Sequence, residues 1–151
     1  MAVGLKKTAN VYLDSAYIAK FYLNEADSDT VRAGIRGTGP FVSSAWCLAE
    51  VICAFHRYTR EKGLTIAECQ QLAESFLRHV DSGFWKLIPV TDALLRRVSL
   101  LVSAAPPSLF IRAGDALHLA TAQSLGEPEI WTNDHHLLAA APHFGLAGRS
   151  V

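Results

Sequence analysis

Apolar residues arrive along this chain in two rhythms. Short unbroken runs, Val11-Tyr12-Leu13, Phe41-Val42 and Ile130-Trp131, present no polar face and read as strands buried on both sides. Residues 84–90, FWKLIPV, form the clearest strand after the first. Elsewhere apolar positions fall three and four apart, the period of an amphipathic helix. One helix follows Asp14 through Ala16, Ile18, Ala19, Phe21 and Leu23, and a polar linker from Glu25 leads to a shorter one near residues 30–36. Ser43 or Ser44 caps a long helix over about residues 45–62, stopped by Gly63, with Trp46, Cys47, Val51, Cys53, Ala54 and Tyr58 on its apolar ridges. Residues 65–80 repeat the pattern: Ile66, Cys69, Leu72, Phe76 and Val80 share a stripe, and Thr65 with Glu68 fits a capping box. Thr91 or Asp92 caps the next helix, over about residues 93–104, which Pro106-Pro107 ends. A helix headed by Asp115 runs to Leu125, a short one covers about residues 135–141, and residues 144–151 read as a last edge strand or tail. Strands alternating with helices predict an α/β fold with a central parallel sheet flanked by helices on both faces.

Length and composition add bounds. The 151 residues predict one domain, 1–151, with a continuous core. Lys plus Arg equals Asp plus Glu, 14 each, so any surface for a polyanion must be a local one. Cys47, Cys53 and Cys69 make no CxxC pair and read as buried thiols in a reducing compartment. No apolar run approaches the roughly 18 residues of a membrane span, and no apolar segment follows the lysines of MAVGLKKTAN. The expectation is a cytoplasmic protein with no membrane partner. Neither a Gly-rich phosphate loop nor a GxSxG elbow occurs, which leaves nucleotide-dependent and serine-hydrolase chemistry without support.

Four acids sit where packing alone would put none. Asp14 directly follows the first strand, Glu50 lies inside the apolar stretch WCLAEVICAF, Asp115 opens an otherwise apolar helix, and Asp134 ends the strand around Trp131. A buried carboxylate costs several kcal/mol unless protonated, paired or neutralised by a metal. No Lys or Arg is spaced to pair with each of the four, so the economical partner is a divalent cation with oxygen ligands, Mg2+ or Mn2+. Two of the acids have a plainer reading: Asp14 as a helix N-cap, Glu50 as an edge glutamate reaching solvent. Asp92, at a helix N-terminus, needs no explanation beyond capping. In an open parallel sheet ligands bind beyond the carboxyl ends of the strands, and carboxylates holding one or two Mg2+ ions there have one dominant use, hydrolysis of a phosphodiester by a metal-activated water. Arg112, three residues before Asp115, is the best phosphate contact, ahead of Arg57, Arg96 and Arg97. His118 reads as packed or hydrogen-bonded, at most one of His135 and His136 can approach a substrate, and Trp46, Trp85 and Trp131 read as core.

The segments VYLDSAYIAKFY, SSAWCLAEVICAF, RAGDALHLATA and IWTNDHHLLAAAPHFGL, in that order and spanning nearly the whole chain, resemble the PIN-domain nucleases, most closely the VapC-type toxins of toxin-antitoxin pairs. DALHLATA followed by the T-x-D strand end is the most specific of these matches. The resemblance implies a metal-dependent endoribonuclease with Asp14, Glu50, Asp115 and Asp134 as metal ligands and Ser15 and Thr132 supporting them by hydrogen bonds. It also implies an RNA substrate, a VapB-like antitoxin partner and a homodimer. Two rivals remain at this point: a non-catalytic module whose acids receive a partner's arginines, and a free-standing RNA-processing nuclease. A phospho-accepting receiver domain needs paired acids after the first strand, and Asp14-Ser15 offers none.

Overall fold

The computed structural model describes residues 10–151, so the N-terminal segment expected to carry no leader lies outside the described residues. The chain runs β1 (Val11–Leu13), α1 (Ser15–Tyr22), α2 (Ser28–Arg36), β2 (Phe41–Ser44), α3 (Cys47–Lys62), α4 (Ile66–Asp81), β3 (Trp85–Ile88) and α5 (Asp92–Ser103). It continues through α6 (Ala113–Ser124), β4 (Glu129–Trp131), α7 (His135–Ala140), a 3-10 turn (Ala141–Phe144) and β5 (Ala147–Arg149). All strand pairs are parallel, in the order β3-β2-β1-β4-β5. Chain order reverses between β1 and β4. The carboxyl ends of these two strands therefore border the crevice in which open α/β sheets bind their ligands.

Alternation along the strands divides the core. Leu13, Phe41 and Trp131 point to one face, where they pack with Tyr17, Ile18, Val51, Phe55, Phe76 and Trp85. Their neighbours Tyr12, Val42 and Ile130 point to the other, against Leu119, Leu137 and Phe144. Both faces of the sheet are covered by helices, which is why its strands read as continuous apolar runs.

Several local expectations change. Extended backbone continues through Ser44, so no serine caps α3; the helix begins at Cys47 after a turn in which Ser44 Oγ accepts from the Trp46 amide at 3.1 Å. Thr91, not Asp92, caps α5, taking the Leu94 amide at 3.1 Å, while Asp92 pairs with Arg96. The capping box of Thr65 and Glu68 forms as expected. Ile66 lies outside the apolar stripe, 72 % exposed. Of the three thiols only Cys47 is buried, its pKa pushed up to about 12 by that burial, whereas Cys69 is half-buried and Cys53 is exposed. Trp85 and Trp131 are core residues, but Trp46 is 45 % exposed. Among the described residues no helix is long and apolar enough to cross a membrane.

Candidate active site

The four acids reach one region from four elements. β1 pairs with β4 in the register Leu13 to Trp131, which sets Asp14 beside Thr132 at the ends of adjacent strands. Asp14 is at once a cap and a member of the cluster: Oδ1 accepts from the Tyr17 amide at 2.7 Å, while Oδ2 accepts from the Thr132 hydroxyl. Those two bonds do not offset its desolvation, and burial leaves the carboxyl with a raised pKa. Thr132 Oγ1 also accepts from the Asp134 amide at 3.0 Å. Asp134 caps α7 through the amides of His136 and Leu137. Burial pushes its pKa up, but those amides and Arg112 outweigh the effect and hold it low.

Glu50 arrives from the first turn of α3 and is aimed by two side chains. Ser15 Oγ donates to Glu50 Oε1 at 2.9 Å, and His118 Nε2 stands 2.9 Å from both oxygens. His118 is buried, with Nδ1 3.0 Å from the hydroxyl of Tyr12. Burial holds that phenol far above its usual pKa, so it stays protonated; when it donates to Nδ1, Nε2 carries the proton that Glu50 accepts. Glu50 loses solvent here, yet the bonds from His118 and Ser15 keep its pKa low. Gly114 makes room for it: a Cβ there would sit 3.1 Å from Glu50 Oε2 and 3.6 Å from the Trp46 indole nitrogen.

Arg112, expected as a phosphate contact, pairs with two of the four acids. Its Nε donates to Asp115 Oδ2 at 2.8 Å, and its Nη2 reaches Asp134 Oδ2, also at 2.8 Å. One guanidinium thus bridges two of the four acids, and the bonds to Asp115 raise its own pKa. The spacing of three residues is visible in the sequence; the second bond, to a residue 22 positions on, depends on how α6 packs beside β4.

Ser15 and Thr132, the supports expected from the resemblance, and Arg112, expected as a phosphate contact, each connect two acids. Ser15 follows Asp14 and bonds Glu50, Thr132 bonds Asp14 and the Asp134 backbone, and Arg112 joins Asp115 to Asp134. Side-chain oxygens do not yet converge as ligands: among the described residues no group of three His, Cys, Asp or Glu side chains stands close enough to share an ion. The donor set nevertheless suits a hard divalent cation, being all carboxylate, and the guanidinium already lies between two of its members. Ser15, Glu50 and Asp134 open onto a cleft of about 440 Å³, with Lys20, Arg57 and Arg112 also in its walls.

Three contributors escaped the sequence reading. Tyr12 and Gly114 carried no polar signal that distinguished them from packing and turn residues. Asp27 was passed over in a polar linker, yet it accepts from Lys20 and, at 2.7 Å, from Asn133, tying the start of α2 to the segment that carries Asp134. Burial raises its pKa and those bonds more than reverse the shift.

A parallel sheet reversing at β1 and β4, with acids gathered at their carboxyl ends, defines a class, and the PIN-domain family pattern matches residues 11–142. The chain belongs to the PIN-domain family. It is 36% identical over 141 residues to ribonuclease VapC46 of Mycobacterium tuberculosis, a match covering 92% of this chain and 95% of that protein. Among solved structures, VapC20 of Mycobacterium tuberculosis, a sarcin-ricin-loop-cleaving toxin, aligns with a TM-score of 0.67 at 16% identity, over 87% of this chain and 95% of that one. A toxin-antitoxin complex from Klebsiella pneumoniae aligns with a TM-score of 0.61 at 17% identity, over 94% and 96%. At such identities these two likenesses are ones of fold.

Proposed function

We propose that the protein is a Mg2+- or Mn2+-dependent endoribonuclease and the toxin of a VapBC-type pair, a cytoplasmic homodimer held in check by a VapB-like antitoxin. The observation that carries this reading is the network just described, in which Asp14, Glu50, Asp115 and Asp134 are tied together at the switch point of the sheet. The ribonuclease VapC46 likeness supports the activity, and the fold shared with a toxin-antitoxin complex supports the partner. The four acids are the ligands, and a divalent ion held by them supplies the Lewis acidity that phosphodiester hydrolysis needs.

This chain's own residues do the rest. Thr132 fixes one oxygen of the Asp14 carboxylate at the carboxyl end of β1. Ser15 and His118 hold Glu50 at the edge of the cleft, and Gly114 leaves it room. Arg112, once released from Asp115 and Asp134, is placed to meet a phosphate, with Lys20 and Arg57 along the same cleft. No covalent enzyme intermediate is involved. Purified protein should cleave RNA with Mg2+ or Mn2+, lose that activity in excess chelator, and melt at a higher temperature with Mn2+. Full activity in chelator would reject this reading.

A second reading has one observation in its favour: Asp115 and Asp134 already accept a guanidinium, as they would if the acids served to receive a partner's arginines. Such a non-catalytic module would gain no stability from Mn2+. A small DNA-binding protein encoded directly upstream distinguishes a toxin from a free-standing nuclease.

A further inference from the structure

Beside the acids, on the side of Asp134 and Arg112, three rings form a short column on the surface. Phe110 lies 4.2 Å from His136, centroid to centroid, with 36° between their planes, and His136 lies 4.0 Å from His135 at 39°. Arg112 sits at the Phe110 end, its guanidinium carbon 6.0 Å from that ring. The column is exposed: Phe110 keeps 53 % of its surface, His135 is exposed and His136 half-buried. A phenylalanine left this open, in contact with a half-exposed histidine, is unlike the buried rings of the core.

Two segments bring the rings together. His135 and His136 open α7 directly after Asp134, and Phe110 precedes Arg112 by two residues. The contact between Arg112 and Asp134 therefore draws both halves of the column to the rim of the acidic cleft. We propose that this column is a stacking platform for an unpaired nucleobase next to the phosphate that is cut. The proposal rests on the nuclease reading and adds a base-binding subsite to it. Continuity with the acid site favours this occupant over an apolar protein surface: Arg112 at the end of the column also contacts Asp134, and Arg57, in no salt bridge among the described residues, lines the adjoining cleft and can take a flanking phosphate. A ring face accepts any base, so the platform selects for an unstacked base rather than for a sequence.

The test is binding of a labelled single-stranded oligoribonucleotide of mixed sequence in an Asp14→Asn background, where the RNA is not consumed. Phe110→Ala and His136→Ala should each weaken binding by about fivefold to tenfold, and Phe110→Trp should restore it. Moving one abasic residue along the oligonucleotide should reveal one position whose loss weakens the parent protein by the same factor and costs Phe110→Ala nothing further. Unchanged affinity in Phe110→Ala overturns the platform. So does a uniform abasic effect, or a Phe110→Ala protein whose only change is its oligomeric mass. Thermal melting near that of the parent shows that these exposed positions leave the fold intact. Wild-type protein that cleaves no RNA while Phe110→Ala still loses oligonucleotide affinity would reject the nuclease reading and leave the platform standing.

Discussion

At the β3 edge of the sheet, Trp85 Nε1 donates to the Tyr22 hydroxyl at 2.7 Å, and that hydroxyl reaches His79 Nδ1. The three polar groups are neutral, matched in sequence donor to acceptor, and wrapped by Phe21, Phe55, Phe76 and Phe84. At the carboxyl ends of β1 and β4 the polar groups are as closely connected, but four of them are carboxyls. There the bonds leave Asp14 with a raised pKa and two other acids sharing a single guanidinium. Satisfied neutral groups in a tight aromatic packing rigidify a fold. Under the proposed reading, the acid end would be completed by a cation, which the aromatic end does not need. One end of the sheet is arranged for stability, and the other, on that reading, for function.

The contrast breaks most visibly at Trp85. Trp85→Ala removes a fully buried indole and should cost about 3–5 kcal/mol, read by chemical denaturation, while cleavage per folded molecule stays at the wild-type level. At the acid end the losses should be reversed. Asp115→Asn should lower cleavage roughly a hundredfold to a thousandfold, the scale of losing one preorganised electrostatic group, with little change in melting; equal losses of activity from both variants would erase the distinction. His118→Asn leaves the acids in place but removes the donor to Glu50. A fall in Mn2+ affinity of about tenfold to a hundredfold is expected from such a supporting contact, measured by calorimetry, and unchanged affinity would make His118 a packing residue only.

Asp14→Asn sharpens the comparison in the other direction. The amide keeps an oxygen for the Tyr17 backbone and relieves a buried charge, so the metal-free protein should gain on the order of 1 kcal/mol; a loss would show that Asp14 is as settled as Tyr22. The smallest effect belongs to His79. Burial, then Arg78, holds its pKa below the ordinary value, so the folded state prefers the neutral ring. The stability it contributes is present above the unfolded-state pKa, about 6.5, and is lost as pH falls through the lower folded value. Urea midpoints at pH 7.5 and pH 5 should therefore differ more in wild type than in His79→Gln.

Much of this was legible in the chain. The continuous apolar runs of the first strand and of Ile130-Trp131 could only be buried on both faces, and the strand-helix alternation left a parallel sheet as the economical arrangement. The candidate acids stood out for the same reason, as charges in apolar surroundings. Where the reading missed, the local signal was ambiguous. Ser43 and Ser44 suit a helix cap as well as a buried strand end, and the Ser43 hydroxyl instead donates to the Leu13 carbonyl across the sheet at 2.7 Å. Trp46 fits an apolar ridge by spacing, but the ridge continues past the edge of the core.

By itself the sequence determined the elements, their alternation and the presence of acids that packing could not account for, because periodicity and local chemistry act over a few residues. Tertiary structure alone decided the strand order that places β1 beside β4, the bridge from Arg112 to Asp134 and the joining of Tyr12, His118 and Glu50. Those contacts span from 22 to 106 positions along the chain, and only the closing of the sheet and the docking of α6 bring such partners within hydrogen-bonding reach.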